Sequence, residues 1–173
     1  MSGGHLDLAG RGLMHVPRDY IAGHVYSSVD LQHNKLLSIE VSLEGVESAD
    51  VSSNQIKTLD NMASTTLNSL RATHNLIGVI GRISFPLLSV IDLSNNSIRD
   101  ASSLSVCQRL THVNLSFNAL TSFPDLRECT LLKSLNVDNN RIYGVKHEVL
   151  PAKLQELSLA HNAVSDLTQL KYL

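Results

Sequence analysis

An asparagine with the same apolar escort recurs seven times at near-constant spacing, and this recurrence confines the chain to a stack of similar coils. Asn34, Asn54, Asn75, Asn96, Asn118, Asn140 and Asn162 stand 20, 21, 21, 22, 22 and 22 residues apart. The fifth shows the frame most clearly, in LSVIDLSNNSIRDA, residues 88–101. Leu88, Ile91 and Leu93 lie eight, five and three residues before Asn96, and Ile98 lies two after it. The pattern is L-x-x-L-x-L-x-x-N-x-L, repeated down almost the whole of a 173-residue chain. An eighth, earlier copy has Leu6, Leu8, Leu13 and Val16 in register but Arg11 in the asparagine place. Terminal coils of such stacks are often atypical. No linker or low-complexity segment interrupts the series, so residues 1–173 read as one domain with repeats centred on 11, 34, 54, 75, 96, 118, 140 and 162.

Each coil has a physical reading. The x-L-x-L-x run is a short strand of period two, its leucines inward and the alternate residues on a shared parallel sheet. The chain must then turn, which would leave buried backbone groups unpaired. An asparagine side chain both donates and accepts, so it can bond the turns of its own and adjacent coils. Removing one should orphan groups at roughly 1–3 kcal/mol each. Apolar residues come next at +2, +5 and +8, as in Ile98, Ala101, Leu104 and Leu120, Phe123, Leu126. That spacing predicts 3₁₀ or short α turns on the convex side. Pro86, Pro124 and Pro151 fall in these return segments, where a missing amide is tolerated.

Composition agrees with narrow, repetitive layers. The apolar share is 43%, with only 4% aromatic residues and no Trp. A net charge of −2 without a basic run argues against nucleic acid and against an acidic membrane surface. No apolar stretch reaches the length of a membrane span, and no signal peptide opens the chain. The two cysteines, Cys107 and Cys129, each lie eleven residues after a ladder asparagine. Equivalent places in adjacent coils leave a disulfide or metal pair open, but small buried apolar residues suit the frame better, and an intracellular, reduced location is expected. The glycosylation triplets at Asn95 and Asn114 fall in strand or ladder positions, where a glycan would obstruct the sheet.

The chain resembles the leucine-rich-repeat superfamily over residues 6–173. The period near 22 and endings such as Asn54-Gln55-Ile56-Lys57-Thr58-Leu59 are similar to the SDS22-like class. The resemblance implies a curved α/β solenoid of about eight coils, with a parallel β-sheet on its concave face. It also implies an intracellular binding module, as in phosphatase regulators, spliceosomal and tubulin-folding subunits, dynein light chains and centrosomal proteins. GRGLMHVP near the start and LPAKLQELSLAHNAVSDL at 150–167 resemble the repeat domain of a centrosomal regulator of cilium assembly. Arrays of this kind often end in an aromatic and acidic cap. Residues 166–173 lack one, which points to a longer protein or to self-association through an uncapped last coil.

Function should lie on the outward strand positions. Relative to each ladder position, the fourth residue before is Asp7, Asp30, Asp50, Arg71, Asp92, Asn114, Asn136 and Ser158. The second before includes Ser52, Thr73, Ser94, Ser116 and Asp138. The residue just before is Gly10, His33, Ser53, His74, Asn95, Phe117, Asn139 and His161. From these rows the candidate partner-binding face is Asp30, Asp50, Arg71, His74, Asp92, Asn95, Asn114, Phe117, Asn136, Asp138 and His161. Its first half is acidic, which suits a basic or mixed-charge segment, and Phe117 is its one aromatic and a natural anchor. Eight strands at ~4.8 Å give a face about 34 Å long, room for roughly 22 residues of helix. His5, His33, His74, His112 and His161 also fall here, yet His33 and His74 sit two coils apart, too far to share a metal ion.

No nucleophile, base and orienter converge in this frame, no Gly-rich phosphate loop occurs, and no Cys/His cluster has zinc spacing. The expectation is therefore a non-enzymatic interaction module without metal or cofactor. It would bind a partner helix or extended peptide on the concave face, as a cytoplasmic scaffold in a cytoskeletal, centrosomal or ciliary assembly. The alternative is a regulatory or targeting subunit of an enzyme such as a protein phosphatase.

Overall fold

In each repeat, only two inward positions per strand need burying, and the strands are correspondingly short. The computed structural model describes residues 3–16, 20–21, 24–144 and 150–165. Its strands are β1 (Gly4–Asp7), β2 (Tyr26–Asp30), β3 (Ser48–Asp50), β4 (Ser69–Arg71), β5 (Val90–Asp92), β6 (His112–Asn114), β7 (Ser134–Asn136) and β8 (Glu156–Ser158). They form one parallel eight-stranded sheet in sequence order. This is the curved leucine-rich-repeat stack, one turn of chain per strand.

The register matches the sequence frame without a slip from β2 onward. Leu6, Val29, Ala49, Leu70, Ile91, Val113, Leu135 and Leu157 stand side by side across the sheet. Val29 through Leu135 in this column are buried, while Leu6 and Leu157 at the two ends are half-buried. Ala49, Val51 and Ala72, the small residues in leucine places, are buried as well.

The asparagine ladder closes each coil onto the one before. Asn96 Nδ2 donates to Leu93 and Ser94 carbonyls in its own coil, at 3.0 and 3.2 Å, and to Ala72 O in the preceding coil at 2.9 Å. Its Oδ1 accepts from the Ile77 amide at 2.9 Å. Asn54, Asn75, Asn118, Asn140 and Asn162 repeat this set on their own neighbours. Asn34 reaches Leu8 O and accepts from the amides of Arg11 and Leu13. Every ladder side chain reaches backward. Arg11 stands in the ladder place of the β1 coil, where its amide and that of Leu13 are the groups Asn34 serves.

On the convex side Ile98, Ala101 and Leu104 are buried, as are Leu120, Phe123 and Leu126. Among the described residues the return segments include the 3₁₀ turn Ser102–Val106, with Tyr20 also in 3₁₀ conformation, and no short α turn. Elsewhere the return is turns and bends, with parallel bridges Thr58–Val79 and Ala63–Ser84 tying coils together. These returns are rich in Ser, Thr, Gly and Pro, which compete with or break helix hydrogen bonding. Cys107 and Cys129 occupy equivalent places. Each amide donates to the carbonyl three residues earlier, at 2.9 Å, both residues are buried, neither is in a disulfide, and the Cys129 thiol donates to the carbonyls of Leu104 and Cys107. Residues 166–173, on which the uncapped final coil was expected, lie outside the described residues.

Candidate functional site

The outward rows differ sharply in what they do for the fold. In the fourth-before row, Asp7, Asp30, Asp50 and Asp92 each accept the amide two residues on, at 2.9 to 3.0 Å. Asn114 and Asn136 do the same for Ser116 and Asp138. A short side-chain oxygen here folds the strand end into the adjoining turn. The acidic half of the face is thus built largely from residues with a local structural task. Arg71 has no such oxygen, and the Ser158 hydroxyl donates to Asp138 Oδ1 instead. In their coils the amides of Thr73 and Ala160 bond instead to Ser52 Oγ and Asp138 Oδ1, each from the preceding coil.

Second carboxylate oxygens add cross-links. Asp30 Oδ2 takes Gln32 Nε2 at 2.7 Å, and Arg71 Nε approaches Asp50 Oδ2 at 3.8 Å. Asp138 also accepts Ser158 Oγ at 2.6 Å. Parts of Asp30, Asp50, Arg71, Asp92, Asn114, Asn136 and Asp138 remain accessible on the sheet.

The second-before row departs from the expectation that it faces outward. Ser52, Thr73, Ser94 and Ser116 are buried. At this point the chain is already bending, and small hydroxylated side chains tuck against the neighbouring coil. Only Gln32, Asp138 and the end-coil alanines keep appreciable surface in that row.

The residue just before each asparagine carries the conformation that makes the corner. His33, Ser53, His74, Asn95, Phe117, Asn139 and His161 all have φ between 52° and 57°, and Gly10 has φ 65°. This left-handed turn aims the next residue's amide side chain into the ladder. Asn, His and Gly tolerate it, but a bulky aromatic does so at a cost of about 1–2 kcal/mol. Phe117 nevertheless occupies the position, with 53% of its surface exposed. Asn95 and Asn139 hold the corresponding places in the adjacent coils, and His74 and His161 those of the coils beyond. None of these four side chains makes a hydrogen bond among the described residues. The candidate face therefore has one strained aromatic flanked by amides and imidazoles with open donors and acceptors.

Among the described residues no group of three His, Cys, Asp or Glu side chains could hold a metal ion. No described helix is long and apolar enough to cross a membrane. Exposed apolar side chains at Leu37, Leu76, Val79 and Tyr143 lie outside the rows that the frame marks as functional. For Leu37, Leu76 and Tyr143 the signal in the sequence is the pair of positions flanking the buried residue at +2, which the leucine frame leaves unassigned, and Val79 stands one place further on at +4.

No protein-family model matches the chain. Tsukushi from Mus musculus is 30% identical over 177 residues, covering 90% of this chain and 50% of that protein. Toll-like receptor 3 from Bos taurus is 32% identical over 158 residues, covering 78% of this chain and 17% of the receptor. The chain thus spans half, or far less, of these relatives' own length. Among solved structures, the leucine-rich repeat domain of APL1B superposes with a TM-score of 0.78 at 26% identity, covering 92% of this chain and 48% of that one. The backward-reaching asparagine ladder, the parallel sheet in sequence order and these likenesses make the chain a leucine-rich-repeat solenoid.

Proposed function

We propose that the chain is a non-catalytic protein-interaction module that takes a partner helix or extended peptide on its concave face. The observation that carries this reading is Phe117. An aromatic held in a left-handed conformation and left half in solvent does little for stability, so its presence is better explained by what it touches in a complex. Asp92, Asn114 and Asn136 stand in the strands around it, and Asn95 and Asn139 offer open amides beside it. An aromatic anchor ringed by polar groups is the usual make-up of a binding hot spot.

The role is that of a cytoplasmic scaffold within a cytoskeletal, centrosomal or ciliary assembly. Two buried thiols with no disulfide between them are in keeping with a reducing compartment. Affinity purification of the full chain beside its Phe117→Asn variant tests the whole reading. The true partner should be recovered with the first and depleted with the second. Coiled-coil or tubulin-associated proteins among the depleted set would assign the scaffold role, and a phosphatase would assign the enzyme-targeting role instead. Equal recovery of every protein by both chains would remove Phe117, and the concave centre with it, from the site.

A further inference from the structure

The flank that descends from the asparagine ladder has a chemistry unlike the concave face. In each coil the residue at +2 is apolar, and it is buried in Leu36, Ile56, Ile77, Ile98, Leu120 and Ile142. The positions at +1 and +3 on either side of it therefore point to solvent. Across all eight coils not one of these positions is Asp or Glu. They carry Lys35, Lys57, Arg99 and Arg141, all exposed and none in an ion pair among the described residues. The same stripe bears Leu37, Leu76 and Tyr143, which are 56%, 52% and 67% exposed, with Val79 beside them at +4. Among the described residues the +4 position holds one acid, Asp100, whose Oδ1 takes the Ser102 amide at 2.9 Å.

Between the two arginines the surface dips. Ser97, Ala119 and Thr121 form the floor of an open groove, with Arg99 and Arg141 on its walls. Short side chains on the floor leave room for a backbone or an incoming side chain. Two guanidinium forks present donors that match carboxylate geometry. From Lys35 to Arg141 the stripe crosses five coil steps, about 24 Å at ~4.8 Å each, the length of seven or eight residues of extended chain.

We propose that this flank is a second docking surface, separate from the concave site, for an extended acidic segment of another protein that carries apolar anchors. Charge complementarity selects the occupant. The cations lie along a protein whose net charge is −2, and its ionised concave residues are mainly acidic, so an acidic segment is steered to the flank and away from the sheet. The apolar side chains are spread over several coils, as successive side chains of one extended segment would require.

A displayed library of random peptides about twelve residues long, panned on the full chain and counter-panned on Arg99→Glu/Arg141→Glu, tests this directly. The retained peptides should combine Asp or Glu with apolar residues. A synthesised member should bind the unaltered chain at least tenfold more tightly than the double variant, and as tightly to Phe117→Asn as to the unaltered chain. Circular dichroism and thermal melting check that the double variant is folded. Leu76→Ser/Tyr143→Ser gives the same readout through the apolar anchors if it is not. The proposal fails if no peptide discriminates, if the discriminating peptides lack acids, or if Phe117→Asn abolishes their binding. It fails equally if phosphatidylserine vesicles or a second copy of the chain, rather than peptides, show the arginine-dependent binding. Loss of the concave partner alone would leave this surface standing, so the two readings fail separately.

Discussion

Removing the Asn75 side chain strips partners from four backbone groups at once. Its Nδ2 serves the carbonyls of Val51, Ala72 and Thr73, and its Oδ1 serves the buried Ile56 amide. Asn75→Ala should lower stability by about 2–4 kcal/mol, most of it from the orphaned amide, as read from denaturant unfolding. Phe117→Asn should behave in the opposite way. Asparagine relaxes in the left-handed region, so the melting temperature should hold or rise by a few degrees while partner binding falls. A loss of several kcal/mol would show instead that Phe117 supports the fold. The fourth-before row gives a third contrast. Asp92→Asn keeps the oxygen that accepts the Ser94 amide and should leave stability unchanged, whereas Asp92→Ala should cost about 1 kcal/mol. These contrasts also mark where residue-level reading stopped. Asn96 was identifiable as ladder because its spacing and its chemistry agree. Asp92 was identifiable only as outward, although Asp or Asn in six of eight equivalent positions is the trace of a required acceptor. Ser94 obeys the period-two alternation on paper, but the strand ends at Asp92, and past that point alternation no longer decides which way a side chain faces.

The strands and the return segments were not equally legible as elements. Strand positions can be placed from two leucines and an asparagine, and the structure adds only how short each strand is. The return segments carry an apolar beat near three residues, which fits a 3₁₀ turn, an α turn or a chain of bends. Only the local competition from Ser, Thr, Gly and Pro decides among them. The two cysteines sit on that beat, and their burial has a measurable consequence. Desolvation pushes both thiols up from their ordinary value near 9 to about 11. At Cys107 a backbone hydrogen bond from Phe85 pulls weakly the other way, and at Cys129 the charges of Cys107 and Glu128 add to the rise. The folded chain therefore holds these protons more tightly than the unfolded chain. The stability this contributes is fully present below about pH 9 and is lost as pH rises through about 11. Alkylation at pH 8 should be slow in the native state and fast in denaturant. Cys107→Ala/Cys129→Ala should lose stability less steeply between pH 9 and 11 than the unaltered chain, whatever the double substitution does at neutral pH.

Across the whole molecule, burial changes along the stack in a way that no single repeat reveals. The inward column is closed from Val29 to Leu135, but Leu6 and Leu157, in the first and last strands of the described sheet, are only half-covered. In a solenoid each coil touches its neighbours alone, so stability is a sum of coil and interface contributions. The same substitution should then have unequal effects. Leu135→Ala, in a fully packed layer, should cost about 3 kcal/mol, and Leu157→Ala about 1 kcal/mol, by denaturant unfolding. Amide exchange should show the gradient in the unaltered chain, slowest in β4 to β6 and faster in β1 and β8. The ladder is directional. Each asparagine reaches backward, so Asn34 holds the amides of the first coil and Asn162, at the β8 end of the described sheet, holds that of Ile142. If copies of the chain associate through that end, the β8 amides should become better protected as protein concentration rises while those of β5 stay unchanged, and sedimentation of the same samples should register the larger species. Concentration-independent exchange at β8 would instead leave each chain to close its own last coil.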